Sequence, residues 1–194
     1  MKDKKLLVSF TGAQSTGKTT LLNILEKHNS DINFIPEVTR KIKRELSLDI
    51  NESGGWQTQQ FITTQHLKNA YKHNLYAGAH TILDRCALDG YVYTLWLYRY
   101  QGLPSFCVEY ARAAPEELKS QYDVIFYTCP DGIKLEDDGE RSANSVFRDQ
   151  IIDIFEREIR GCDNVVTLLG SVEERLQQIK TTLAKLNWDI KVAK

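Results

Sequence analysis

Leu6-Leu7-Val8-Ser9-Phe10, followed closely by Gly12-Ala13-Gln14-Ser15-Thr16-Gly17-Lys18-Thr19, is the stretch that decides the fold. The first five residues are a short apolar run rich in strand formers, and the second segment matches G-x-x-x-x-G-K-[ST] in full. Beyond it, residues 18–28 place Leu21, Leu22 and Leu25 on one side of an expected helix. Each fixed type in the loop has a chemical reason. Gly12 and Gly17 permit backbone angles that side chains forbid, so successive N–H groups can turn around phosphate oxygens. The following helix adds its positive N-terminal end. Lys18 is placed to neutralise the β- and γ-phosphates, and the Thr19 hydroxyl suits magnesium. The expected nucleotide contacts therefore run through Gly12, Ala13, Gln14, Ser15, Thr16, Gly17, Lys18, Thr19 and Thr20.

Outward from this loop, short apolar runs alternate with helical patterns. Asn33-Phe34-Ile35-Pro36-Glu37 predicts a second strand ending near Glu37, and residues 56–76 read as a helix. Thr81-Ile82-Leu83-Asp84 predicts a third strand, Val124-Ile125-Phe126-Tyr127 a buried fourth and residues 164–169 a fifth. Helices are expected over 88–100, 108–119, up to about 160, and 172–186. This alternation indicates an α/β sandwich with a mainly parallel sheet. At 194 residues, with no long linker or repeat, one domain over 1–194 is enough. The formal net charge of −1 provides no global field for DNA or an acidic membrane. Four scattered cysteines lack any CxxC pair, and no stretch approaches a membrane span, so a cytoplasmic protein is expected.

Asp84 ends its apolar run as a Walker B aspartate does, which suits it, with Thr19, to hold magnesium. The next residue is Arg85, which cannot polarise water as a base and instead suits holding substrate or the transferred phosphate. Glu37, expected at the carboxyl edge of the sheet beside the loop, is placed to accept a proton from an attacking hydroxyl. Arg40 lies three residues on, in the first turn of the next helix. The polar stretch 131–147 reads as a lid, and Arg141 and Arg148, seven apart, would share one side of a helix and close over the γ-phosphate.

The phosphate loop, Pro36-Glu37-Val38-Thr39-Arg40, Asp84-Arg85-Cys86-Ala87-Leu88-Asp89 and the arginine-bearing lid together resemble the small P-loop kinases. They are similar to the NadR-type nicotinamide-riboside kinase, or AAA-like (AAA_28), group; deoxynucleoside and thymidylate kinases are broader relatives. The resemblance implies a nucleoside-monophosphate-kinase-like fold with a parallel five-stranded sheet in the order 2-3-1-4-5. It implies ATP, with GTP open, and Mg²⁺ at 12–19, and a metal-associated Asp84. Acceptor contacts are implied near Glu37, Arg40, Arg85 and the helix from Trp56, with Trp56, Gln60 and Phe61 offering stacking and amide recognition. The longer relatives carry a fused adenylyltransferase, which is not read in this chain.

The expected chemistry is transfer of a γ-phosphate to a hydroxyl or phosphate of a small nucleoside- or nucleotide-like acceptor, with Glu37 or Asp84 orienting it. A base or end within DNA and a slowly hydrolysing regulatory role are the alternatives. Nucleic acid is the less favoured partner, because Tyr91, Tyr93, Trp96, Tyr98 and Tyr100 have no interleaved basic residues beyond Arg99. Those aromatics suit core or interface packing, and a homodimer stays open. His66, His73 and His80 recur every seven residues, about 10 Å of helical rise, too far apart for one ion. They read as an exposed stripe.

Overall fold

The computed structural model of the chain describes residues 4–75, 78–130 and 144–192. Five strands, β1 (Leu7–Thr11), β2 (Asn33–Ile35), β3 (Thr81–Asp84), β4 (Val124–Thr128) and β5 (Val165–Leu168), form one parallel sheet in the order β2-β3-β1-β4-β5. The helices are α1 (Lys18–His28), α2 (Val38–Leu46), α3 (Trp56–Leu75), α4 (Ala87–Gln101), α5 (Ser105–Leu118), α6 (Ser145–Glu158) and α7 (Val172–Ala184). The fold class and strand order expected from the sequence are those observed.

Alternation along the central strands explains the layering. Val8 and Phe10 of β1, with Ile82 and Phe126, pack onto Leu21 and Leu25 of α1 and Leu176, Ile179 and Leu183 of α7. Leu7, Leu83 and Ile125 point to the opposite side, against Ala70, Ala87 and Ala114 of α3, α4 and α5. A further cluster joins Trp96 of α4 to Phe147, Ile151 and Phe155 of α6. β1 and β4 are buried along their whole length, as strands covered on both faces must be.

Register sets the site. Phe10 pairs with Asp84 on one side and Phe126 on the other, so β1, β3 and β4 end together at one edge of the sheet. β1 is the strand where connections part to either side, and its loop opens into the crevice where open α/β sheets bind ligands.

Two expectations change here. β2 stops at Ile35, and Glu37 begins α2 without a capping bond from its side chain, which is committed elsewhere. The histidines are not an exposed stripe: His66 and His73 are 1% and 7% exposed. His73 bonds the Thr81 hydroxyl at 2.9 Å, and His80 stacks on Trp188 at 4.1 Å between ring centroids. α3 turns a polar face inward, through Thr58, Gln59, Thr63, His66, Asn69 and His73.

Candidate active site

The loop between β1 and α1 has the geometry its residue types require. Gly12 has φ +133°, and a Cβ there would lie 2.8 Å from the Thr128 hydroxyl and 3.0 Å from its carbonyl oxygen, so only glycine fits against β4. Gly17 (φ +83°) caps α1 with no side chain, leaving the first helical N–H groups directed at the crevice. Ser15, at φ +54°, is a left-handed non-glycine residue in the same turn. Lys18 Nζ donates to the carbonyls of Gly12 (2.9 Å) and Ala13 (2.6 Å) and to the Thr16 hydroxyl (3.1 Å). Burial, followed by the nearby Arg85 charge, pulls its pKa down to about 7. Thr19 and Thr20 face out from the first turn of α1.

Two buried arginines hold this loop from outside. Arg148 donates to the carbonyls of Gln14 (3.3 Å) and Ser15 (3.2 Å), and Arg175 donates to those of Thr16 (2.8 Å), Cys129 (2.8 Å) and Gly170 (2.9 Å). In a trans peptide the N–H points opposite to the C=O. Anchoring the carbonyls of residues 14, 15 and 16 therefore directs the N–H groups of Ser15, Thr16 and Gly17 away from the arginines. Arg148 was expected as a lid residue reaching over a phosphate. Instead it sits in the first turn of α6 behind the loop, 9% exposed. Arg141 and residues 131–143 of the expected lid lie outside the described residues. Replacing Arg175 with Lys keeps the charge but cannot reach three carbonyls at once. The expected cost is about 2–3 kcal/mol, hence a melting temperature lower by roughly 5–10 °C, with a raised KM for ATP. An unshifted thermal melt would remove Arg175 from this role.

The charged centre lies beside the loop. Arg85, itself at φ +73°, donates from Nε to Glu37 Oε1 (2.7 Å), and from one terminal nitrogen to Asp89 Oδ1 (2.9 Å) and the Gly12 carbonyl (3.3 Å). Its guanidinium lies 5.6 Å from the centroid of the Tyr93 ring, whose hydroxyl donates to Gln14 Oε1 at 3.0 Å. The second oxygen of Asp89 accepts from the Thr11 hydroxyl (2.8 Å) and the Cys86 N–H (2.9 Å), tying α4 to the end of β1. Burial alone would raise Glu37, but Arg85, Arg40 and Lys18 outweigh it and hold this carboxyl below its ordinary pKa. Arg40 lies 3.2 Å from Glu37 Oε2. Asp84 differs: burial and then the Glu37 charge push it up to about 6.

Two openings flank this centre. Asp84 and Thr19 line the same cavity between α1 and the ends of β2 and β3. One carboxylate and one hydroxyl suit Mg²⁺, which completes its shell from phosphate oxygens and water. Among the described residues, no cluster of three His, Cys, Asp or Glu suits a fully protein-ligated ion. On the other side, a cleft is lined by Glu37, Arg85, Asp89, Gln59, His66 and Gly90.

The expected contacts from α3 are corrected by one position. Gln60 and Phe61 are exposed, whereas Gln59 is buried, reaches the cleft and accepts from the Thr94 hydroxyl at 3.0 Å. A step of one residue turns a helix by roughly 100°. Trp56 packs edge-on against Phe106 and Tyr110, at 5.1 and 5.4 Å, and does not line the cleft. The sequence reading placed His66 in an exposed stripe and Tyr93 among packing aromatics, and it did not single out Gly90 or Arg175. Only Asp89 was signalled, by lying within the quoted Asp84–Asp89 motif.

A family model described as an AAA domain, AAA_28, matches residues 7–175. The structure is similar to that of the NadR protein in complex with NR, with a TM-score of 0.71 and 19% identity over 98% of this chain and 52% of that one. This chain thus spans about half the length of NadR. The deoxyadenosine kinase of M. mycoides is similar at a TM-score of 0.64 and 10% identity, covering 93% of this chain and 100% of that one. The thymidylate kinase of Candida albicans is similar at 0.65 and 15%, covering 98% and 99%. At these identities the likeness shows a nucleoside- and nucleotide-kinase-like fold. No curated protein matches the chain. Among the described residues, no helix is long and apolar enough to cross a membrane.

Proposed function

Because this chain belongs to the AAA domain family AAA_28, whose model covers residues 7–175, we propose that it transfers the γ-phosphate of ATP to a hydroxyl of a small nucleoside-like acceptor. One observation carries the reading: a single guanidinium, that of Arg85, joins the Glu37 carboxylate in the cleft to the Gly12 carbonyl of the phosphate loop. An acceptor in the cleft and a triphosphate on the loop therefore meet at Arg85, on either side of one side chain.

The two carboxylates divide the labour by position. Glu37 lines the cleft and is held ionised, so it takes the proton of the acceptor hydroxyl as that oxygen attacks the γ-phosphorus. The bond from γ-phosphorus to the β–γ bridging oxygen breaks, and ADP leaves with that electron pair. Asp84 lines the other cavity with Thr19, and this pair would hold Mg²⁺. Mg²⁺, when bound, neutralises developing charge on the β- and γ-oxygens. Lys18 and the N–H groups of residues 15–17 hold the phosphates in place, and Arg85 adds positive charge on the acceptor side.

A hydroxyl acceptor is favoured over a phosphate. Among the described residues, Arg85 is the only Lys or Arg lining the cleft, and it is already paired with both Glu37 and Asp89. A dianionic phosphate acceptor would enter beside two carboxylates with little to offset them.

The test is ADP release from ATP or GTP, with and without Mg²⁺, against nicotinamide riboside, deoxynucleosides, thymidylate and single-stranded DNA. Stimulation by one nucleoside, a product heavier by one phosphoryl group, and loss of turnover on chelation are expected. Stimulation by DNA alone, or slow release indifferent to every acceptor, would overturn the proposal.

A further inference from the structure

A second cavity lies behind the N-terminal turn of α4, and among the described residues it shares no lining residue with the acceptor cleft. Its floor is the sheet, where Ile125 of β4 and Val165 of β5 are neighbours in register. Leu88 and Tyr91 of α4, Pro115 of α5 and Cys162 just after α6 form its walls. The gap follows from the helix layer. α5 and α6 each pack on α4, but no comparable packing joins α5 to α6, so the sheet between them lacks a full cover.

Tyr122, shortly before β4, also lines this cavity. It is 4% exposed, and its hydroxyl has no hydrogen-bond partner among the described residues. The Ala87 N–H lies near enough to act on the oxygen without completing a bond. A buried polar atom left unpaired is destabilising, and a phenylalanine would fill nearly the same volume without it. Burial also holds the phenol well above its ordinary pKa, so it keeps its proton as a donor. The charges that line the cavity cancel. Two cations, Arg112 and Lys119, are matched by two carboxylates, Glu116 and Glu158, and Arg112 is paired with Glu116 at 2.8 Å. The Cys86 thiol, pushed up to about 12 by burial, adds no charge to the wall.

One stretch of chain separates the two openings. Within residues 85–89, Arg85 and Asp89 line the acceptor cleft, whereas Cys86 and Leu88 line the cavity. Asp89 Oδ2 accepts from the Cys86 N–H at 2.9 Å, which ties one face of this partition to the other. We propose that the cavity between α4, α5 and α6 is an effector site for a small, uncharged aromatic molecule, which pairs its polar group with the Tyr122 hydroxyl and packs against the back of the partition. The apolar walls suit a flat ring, the cancelling charges disfavour an ion, and the single unpaired phenol supplies one point of orientation. An occupant adds packing to Cys86 and Leu88. Arg85 and Asp89 are then held more firmly before an acceptor arrives, which lowers the ordering cost of acceptor binding. The site itself stands apart from the phosphotransfer reading above, and only its effect on turnover rests on that reading.

The test uses the full chain with phenol, indole and benzamide as probes, and with benzoate and benzylamine as charged controls. Amide ¹⁵N spectra should show the Cys86, Leu88, Tyr122 and Val165 resonances moving together with a neutral probe. That probe should bind at least about 10-fold more tightly than either charged control. Tyr122→Phe should weaken binding about 10-fold, the loss of one buried hydrogen bond, while the unliganded variant melts no lower than wild type. Cys162→Trp, which sets a bulky ring into the cavity wall, should abolish binding. In steady state, saturating probe should lower the acceptor KM about 5-fold and leave the KM for ATP within about 2-fold. Coupling of binding is reciprocal, so the acceptor should tighten the probe by a similar factor.

Neutral probes that leave these resonances in place, or that bind Tyr122→Phe as well as wild type, would overturn the site and leave the phosphotransfer reading standing. A bound probe that leaves the acceptor KM unchanged, or raises it, would overturn the effector role. If no acceptor is phosphorylated the phosphotransfer reading falls, and the spectra of the wild type and of Tyr122→Phe still decide the site.

Discussion

Lys18→Ala should lower acceptor-dependent turnover by on the order of 10³-fold, the scale on which removal of one preorganised charge-stabilising group acts. Lys18 is the cation nearest the loop's own peptides, with Nζ within 3.1 Å of the Gly12 and Ala13 carbonyls and the Thr16 hydroxyl. A triphosphate seated on the loop would exchange these neutral acceptors for anionic oxygens. That exchange is strongly favourable, because the ammonium is buried and its charged form is disfavoured without an anion beside it. The same burial argues that the fold survives the substitution. Truncation leaves backbone carbonyls short of one donor but also removes a charge that burial penalises, and the two effects oppose each other. A melting temperature within a few degrees of wild type is therefore expected, with unchanged far-ultraviolet circular dichroism. Near-normal turnover by a folded Lys18→Ala protein would end the assignment of this loop to phosphate binding. Lys18→Arg is the sharper companion. It keeps the charge, but its larger planar head must fit where a compact ammonium now meets three acceptors, and it should rescue little.

How much of this was legible in the sequence depended on whether a feature was local. The glycine loop is written within eight consecutive residues, and its setting between an apolar run and a helix needs nothing from elsewhere in the chain. The strand and helix alternation, Asp84 and Glu37 followed from the same local patterns, whereas the sheet order came only from the family resemblance. What escaped was long-range or hidden by polarity. Arg148 and Arg175 serve the loop from 133–134 and 159 residues away, and a guanidinium binding backbone carbonyls has no partner residue type to betray it. On sequence Arg148 reads as a lid arginine, and nothing singles out Arg175. α3 failed for the opposite reason. Its buried face is polar, with Thr58, Gln59, Thr63 and His66, while Phe61 is 46% exposed. A reading that assigns apolar residues inward therefore places Gln60 in the site and Gln59 at the surface. The histidine spacing rules out one shared ion and reads as an exposed stripe, and the true setting of these residues needed the packing of α3 on β3 and α4.

Glu37→Gln should reduce kcat by about 10²- to 10⁴-fold while moving the acceptor KM by only a few-fold, the pattern left when a general base is lost and its shape retained. The amide is nearly isosteric, and its oxygen can still accept from Arg85 Nε, so the cleft keeps its outline. What disappears is a carboxylate that its neighbours Arg85, Arg40 and Lys18 hold ionised. The result also decides between two candidates for the base. Asp84 has the higher pKa, pushed up to about 6, which by itself would suit a proton acceptor. Its place beside Thr19 in the opposite cavity keeps it from an acceptor hydroxyl, and a divalent cation there would draw it to the ionised form. If Asp84 were the base, Glu37→Gln would act only by loosening Arg85 and would appear mainly in KM. Asp89 still holds Arg85 at 2.9 Å, so even that loosening would be modest. A kcat near wild type with a raised acceptor KM would therefore move the proton transfer to Asp84 and leave Glu37 as an orienting group. A large loss in kcat at nearly constant KM places the proton on Glu37, whose side chain is 17% exposed, whereas Asp89 is 2% exposed and bonded to Arg85 and to the Thr11 and Cys86 donors.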